Sequence, residues 1–205
     1  MSMILGLTQL NDETIERLVA DPPLVWLVVA PDEREFYESA RQAANRSNKP
    51  GVLSRLFGAT APSPAPPEGP PFSLGEGEGK ETDLDKSWHG IHFLLTGSSE
   101  EGSPPLDFLL EGGRYVGDED VGYGPARVFT SAEVRVIAAA VRAISDDALA
   151  GRFDPAAMSA NEIYPEIWTQ EGREALSYLM AHVATLRDTL ESTVGTNRGL
   201  MITLS

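Results

Sequence analysis

The 205-residue sequence contains no cysteine. Disulfide bonds, thiolate metal ligands and a cysteine nucleophile are therefore excluded. The absence is compatible with a reducing compartment. There is also no Gly-x-Ser-x-Gly segment, so the sequence gives no support to hydrolases that use a serine or cysteine nucleophile.

Basic residues are scarce, since 16 Lys and Arg oppose 31 Asp and Glu and leave a formal net charge of -15. The sequence pI is about 4.5. Such a charge repels nucleic acid phosphates and anionic lipids, so we expect neither a nucleic acid nor a membrane as partner. A basic partner is favoured instead.

Long apolar runs are also missing, because the longest run, Leu24 to Ala30, is far shorter than the ~20 residues of a membrane span. The start of the chain has no basic segment before Asn11, so we expect no signal peptide. The sequence thus predicts a cytoplasmic protein.

The periodicity of the remaining sequence predicts a single α+β domain in which helices dominate. A strand at Met3 to Leu10 and a final strand at Gly199 to Leu204 are expected in one sheet, and the pair Thr130 and Glu133 forms a capping box for a helix. A long helix is expected from Glu171 to Ser192. Two further helices are predicted at Pro31 to Ala44, with Phe36 inward, and at Leu106 to Leu110.

Residues 45–80 form a predicted insertion loop within the domain 1–205. Between Gly58 and Gly79 about half of the residues are Pro or Gly, a composition that buries too little apolar surface to order itself. Within the loop, Val52 to Phe57 is predicted to form an amphipathic turn that docks on the body or on a partner.

The stretch Asp83 to Thr96 is predicted to be a buried helix with Asp83 at its N-cap. His89 and His92 lie on the shoulder of its apolar stripe together with Asp85, because residues three and four apart are neighbours on a helix. The stripe consists of Leu84, Trp88, Ile91 and Leu95.

Gly117 to Arg127 is predicted to be a glycine-punctuated loop with three acids. Its glycines permit close approach of a ligand to the backbone, but the acids and the lack of Gly-Lys-Ser/Thr exclude a phosphate-binding loop. We expect this loop and the His89 helix to meet and satisfy each other's polar groups.

Together the two stretches define a candidate ligand site or polar network. In the enzymatic interpretation, a histidine acts as base, a carboxylate orients it and a cation or tyrosine holds an anionic group. A metal held by the two histidines and by a carboxylate of Asp85, Asp118, Glu119 or Asp120 is a weaker hypothesis, and we expect no metal and no cofactor. In the favoured structural interpretation, the loop acids cap backbone and pair with the cations. The candidate residues are Lys86, His89, His92, Asp118, Asp120, Tyr123 and Arg127.

Both stretches, with Met3 to Gly6 and Tyr164-Pro165, resemble the YfbM-like family, bacterial proteins described as a domain of unknown function. The resemblance covers nearly the whole chain except the insertion, which departs from the family's compact pattern. It implies an α+β single domain and provides no reaction, cofactor or catalytic residue.

The sequence therefore favours a cytoplasmic bacterial protein that acts as a non-catalytic binding or protein-interaction module. A basic protein or a small polar ligand is the expected partner. A small-molecule enzyme of hydrolase or lyase type, with a His/Asp acid-base or metal site, stays as the alternative. The sequence does not fix the oligomeric state.

Overall fold

The computed structural model describes residues 2–47 and 72–205. Most of the predicted insertion, including the amphipathic turn at Val52 to Phe57, lies outside these ranges. Within them, no helix combines the length and the apolar character needed to cross a membrane.

One five-stranded antiparallel sheet forms the centre of the described structure, with strand order β2-β1-β5-β4-β3. The terminal strands β1 and β5 pair with each other, for example Leu7 with Ile202, which confirms the expectation that both lie in one sheet. β2 and β3 are the two edges. The strands are β1 Leu5–Leu10, β2 Lys80–Asp83, β3 Arg114–Asp120, β4 Pro125–Phe129 and β5 Gly199–Leu204.

Both faces of the sheet are buried. Leu7 and Ile202 lie on one face and belong to the larger hydrophobic core. Val128 and Met201 pair with each other on the opposite face and belong to a second core. Successive residues of a strand point to opposite faces, so the sheet is a middle layer between two groups of helices.

The first group of helices covers the second core and comes from residues before the insertion. Arg114 of β3 forms an ion pair with Glu16 at 2.5 Å and ties the edge strand to this group. Phe36 does not point inward as predicted: it is 40% exposed and stacks on Trp26 with ring centroids 5.0 Å apart. Its helix packs on short helical turns rather than on the sheet. The elements are α1 Asp12–Ala20, a 3-10 turn Pro22–Val25, α2 Trp26–Val29 and α3 Arg34–Ser47.

The second group of helices covers the larger core. The capping box of Thr130 and Glu133 is present at the start of α5, as predicted. The predicted long helix is α9, which buries Leu179, Val183 and Leu186. The elements are α4 Trp88–Thr96, α5 Ser131–Ala143, α6 Asp146–Ala150, α7 Pro155–Ala160, α8 Trp168–Glu171 and α9 Arg173–Gly195.

Three local predictions are wrong. The helix expected from Asp83 begins at Trp88, because Lys80–Asp83 pairs with β1 as a strand and a 3-10 turn intervenes. The segment from Leu106 to Leu110 forms turns rather than a helix. The loop predicted at Gly117 to Arg127 is largely the β3–β4 hairpin.

The described ends of the insertion are attached to the body. α3 continues through Ser47. After the gap, the Glu78 carboxylate accepts the backbone N–H groups of Asn11 and Gly75 at 2.6 and 2.5 Å, and Gly79 N–H donates to the Gln9 carbonyl at 2.9 Å. The residues just before β2 are therefore held against the start of α1.

We expect Gly90→Ala to lower the free energy of unfolding by about 1–3 kcal/mol, the usual cost of overpacking a core. A Cβ at Gly90 would lie 2.7 Å from both Leu179 Cδ2 and Trp168 Cη2. Gly195→Ala is the matched control, since nothing lies within 4 Å of its Cβ position. Urea unfolding followed by circular dichroism measures both, and equal stability of the two variants would contradict the tight packing of α4.

Candidate functional site

His89 is held on α4 by two backbone groups. Tyr164 N–H donates to His89 Nδ1 at 3.0 Å, which leaves the proton on Nε2, and Nε2 donates to the Ser99 carbonyl at 2.8 Å. The ring stacks on Trp88 with centroids 5.0 Å apart. Burial lowers the pKa of His89. Both nitrogens of this neutral imidazole are therefore occupied, so it has none to offer a substrate or a metal.

His92 is buried on the next turn of α4 and has 0% exposure. Among the described residues, no hydrogen-bond partner reaches either of its ring nitrogens. Burial lowers the pKa of His92 to about 4, with a smaller contribution from His89, while the Glu101 carbonyl and the Asp107 carboxylate act in the opposite direction. At neutral pH the ring is uncharged. An acid-base role would require the protein to open.

The three acids of the β3–β4 hairpin differ in their partners, and half-buried Glu119 accepts from Trp26 Nε1 at 3.4 Å. Asp120 Oδ1 accepts the backbone N–H groups of Gly122 and Gly124, both at 3.0 Å, and these bonds lower the pKa of Asp120. Asp118 and Tyr123 are exposed. The Tyr123 backbone N–H donates to the Leu204 carbonyl at 2.7 Å. Asp120 therefore caps backbone N–H groups of its own turn, as the structural interpretation predicts.

Arg127 of β4 is a buried cation bound by backbone carbonyls. Its Nη1 donates to the carbonyls of Phe108, Glu111 and Gly112 at 3.1, 2.6 and 3.2 Å, and its Nη2 donates to that of Leu109 at 2.6 Å. Burial lowers the pKa of the guanidinium. The expected pairing of Arg127 with the hairpin acids is wrong, since its hydrogen bonds go to the turn at 108–112 on the α5 side of the sheet.

The seven candidate residues thus use different partners, and the two stretches do not satisfy each other's hydrogen bonds as expected. Lys86 lies in the 3-10 turn Asp85–Ser87 and forms no ion pair among the described residues. Of the candidate residues in the β3–β4 hairpin, only Arg127 acts electrostatically on a candidate residue of α4, namely His92. Whether any of the seven binds a ligand stays a prediction.

The hypothetical metal site lacks its ligands. Asp85, one of the carboxylates considered as a third ligand, accepts a hydrogen bond from the Tyr178 hydroxyl at 2.9 Å. Burial and this carboxylate raise the pKa of Tyr178. Within residues 2–47 and 72–205, no three His, Asp or Glu side chains are placed to hold one metal ion. The Asp85 carboxylate instead joins the turn before α4 to Tyr178 of α9.

A polar cleft of about 320 Å³ lies at the end of α4. The Thr96 hydroxyl donates to the His92 carbonyl at 2.9 Å and accepts from Ser98 N–H at 3.1 Å. The Ser98 hydroxyl in turn accepts from Glu101 N–H at 3.2 Å. These two hydroxyls of the lining are thus engaged with local backbone.

A groove of about 230 Å³ between residues 104–113 and α5 was not found from the sequence. We call it the α5 groove. Apolar side chains, among them Phe108, Phe129 and Val136, make up most of its surface, and three carboxylates also line it. The available signal was Pro104-Pro105 and Gly112-Gly113, which flank the helix expected at Leu106 to Leu110. The carboxylates are those of Asp107, Glu111 and Glu133.

We expect Arg127→Leu to lower the free energy of unfolding by at least about 2–4 kcal/mol, because buried carbonyls lose their donors. The free energy of unfolding of Arg127→Lys should lie between those of Arg127→Leu and the wild type, since an ammonium reaches fewer carbonyls than a guanidinium. Residues 104–113 should also become sensitive to limited proteolysis. Urea unfolding and mass spectrometry of the fragments measure these effects.

Arg135→Leu is the control for this experiment. Arg135 is an exposed arginine whose bond, to Asn197 Oδ1, lies at the surface. Its loss should change stability by less than about 0.5 kcal/mol. An Arg127→Leu protein as stable as this control would show that the carbonyl contacts do not hold the turn.

The pKa of His92 predicts a specific pH dependence of stability. An unfolded histidine titrates near 6.5, so between pH 6.5 and about 4 the unfolded chain binds the extra proton. Stability should therefore fall as the pH drops through this window, by roughly 1–3 kcal/mol. Urea unfolding of the wild type and of His92→Leu isolates the effect, and parallel pH profiles of the two proteins would contradict it.

Comparisons with known proteins identify relatives of this chain. The family model described as a domain of unknown function (DUF1877) matches residues 1–203. The crystal structure of YfbM from Escherichia coli, a protein of unknown function, aligns with a TM-score of 0.61 and 15% identity over 98% of this chain and 99% of that one. At this identity the likeness shows the fold. No curated protein matches the sequence significantly. The resemblance to the YfbM-like family is confirmed, and the chain belongs to this family of proteins with a domain of unknown function.

Proposed function

We propose that this protein is a cytoplasmic, non-catalytic interaction module whose partner is a basic protein. The observation that carries the proposal is the acidic edge of the sheet. β3 has no further strand beside it among the described residues. Along it, Asp118 and Asp120 are exposed and Tyr115 is 56% exposed, and Tyr123 in the turn that follows is 45% exposed.

The chemistry of this edge suits protein recognition. Tyrosine is enriched in interfaces because it offers a large contact area and a polar tip at low entropic cost. Acids beside it attract an oppositely charged surface and raise the association rate. The net charge of -15 extends that field over the molecule. A basic protein is therefore a better partner than an acidic or neutral one.

The enzymatic alternative is less well supported by the same contacts. A general base must reach the proton that it removes. His89 has both nitrogens bonded to backbone, and His92 has no exposed surface. The residues that remain open to solvent are acids and tyrosines of the hairpin, which suit binding.

Affinity capture from the native host tests the proposal, with the tagged protein at low and at moderate salt. We expect one basic protein to be enriched, less so at moderate salt, because exposed charges are screened over ~10 Å at 0.1 M. Asp118→Lys combined with Tyr123→Ala should abolish the enrichment. Asp120 is kept, since it caps the turn.

Glu174→Lys is the matched control, because it reverses one exposed charge on α9, outside the hairpin. This variant should retain the partner. Equal capture by both variants, or no basic protein at either salt concentration, would contradict an acidic edge that recognises a partner.

A further inference from the structure

We propose that the α5 groove receives an apolar or aromatic side chain from a segment of the partner in which arginines or lysines flank that residue. The inference rests on the proposed function and locates the anchor of the same interaction. It commits to a basic peptide segment rather than to a small molecule or to a second copy of this chain.

The apolar surface of the groove is suited to one inserted side chain. Phe108 and Phe129 meet edge to face at 6.4 Å between centroids, are nearly fully buried and line the groove. On the α5 side, Val136 is 58% exposed. A volume of about 230 Å³ can hold a single large side chain but is too small for a longer ligand. Burying an apolar side chain against such a surface is favourable in proportion to its area.

Charge distinguishes the expected occupant from a purely apolar ligand. Glu111 and Glu133 line the groove and are both exposed. Glu133 accepts the Thr130 N–H and hydroxyl through one oxygen, Oε2. Asp107 is mostly buried, and its charge acts on Arg127, as that of Glu111 also does. The two exposed carboxylates therefore select cationic neighbours of the anchor.

The groove is preformed, which lowers the cost of binding. One wall is the turn at 108–112, and Arg127 binds four of its carbonyls. The opposite wall is α5, whose start is fixed by the Thr130 capping box. Neither wall needs to be built by the ligand.

The groove also lies next to the acidic edge. Gly112 and Gly113 line it and lead directly into β3. Tyr115 pairs with Arg127 in the register of β3 and β4, and paired residues share one face of a sheet. Tyr115 therefore lies on the groove side. A partner segment along the edge can thus place its anchor in the groove.

Synthetic peptides test the groove without knowledge of the partner. We would titrate the full chain into fluorescein-labelled Gly-Arg-Arg-Phe-Arg-Arg-Gly and record the anisotropy. Replacing Phe by Gly, or all Arg by Ser, should weaken binding by about tenfold or more in each case. Equal affinity of the peptide without Phe would overturn the anchor, and equal affinity of the uncharged peptide would overturn the charge selection.

Variants of the protein locate the binding site. Val136→Lys should weaken binding of the Phe peptide by about tenfold, because it places a cation in the groove. Ala184→Lys adds the same charge at an exposed position of α9 and should have a much smaller effect. Glu111→Gln should weaken binding with no loss of stability. Equal effects of the two lysine variants would overturn the groove as the site.

Photo-crosslinking provides a direct readout. A benzoylphenylalanine in place of Phe should label residues within 104–113 or 129–137, and labelling elsewhere would overturn the proposal. The proposal would also be overturned if none of the peptides bound. A dimer of this protein that Val136→Lys dissociates would overturn it as well. Host capture that depends on Asp118 and Tyr123 but not on Val136 would refute the groove and leave the proposed function standing.

Discussion

The candidate binding surface depends on the hydrogen bonds that the Arg127 guanidinium donates. A charge removed from water must be compensated, and here four backbone carbonyls of the turn at 108–112 compensate it instead of a hydrogen-bonded carboxylate. The same bonds fix the turn against β4. Because that turn forms one wall of the α5 groove and leads into β3, one buried cation determines the shape of both proposed binding features.

The two histidines of α4 show how identical residue types acquire different environments. His89 is bonded on both sides by backbone, that of nearby Ser99 and that of Tyr164, which is distant in sequence, so its ring fixes the Tyr164 turn against α4. His92 has no bonded nitrogen and is retained as a neutral, buried ring. Both consequences follow from the position of α4 inside the larger core, where desolvation favours the uncharged imidazole.

Local signals made much of the fold predictable. The capping box at Thr130 needs two residues three apart, and the long helix α9 needs only its own periodicity, so both were identified correctly. Phe36 and β2 were not, because exposure of one helix face and recruitment of an edge strand depend on what packs beside them. The α5 groove was missed for the same reason, since its walls come from separate segments.

The sequence by itself determined the acidic charge, the α+β class, the two terminal strands and the buried stripe of α4, since each follows from composition or from short-range periodicity. Only the tertiary structure decided which partner each polar group takes. The bond from Met3 N–H to the Tyr164 hydroxyl and the carbonyls around Arg127 join segments that no local pattern relates. Hydrogen bonds are short and directional, so their partners are fixed only when the packed chain brings the atoms together.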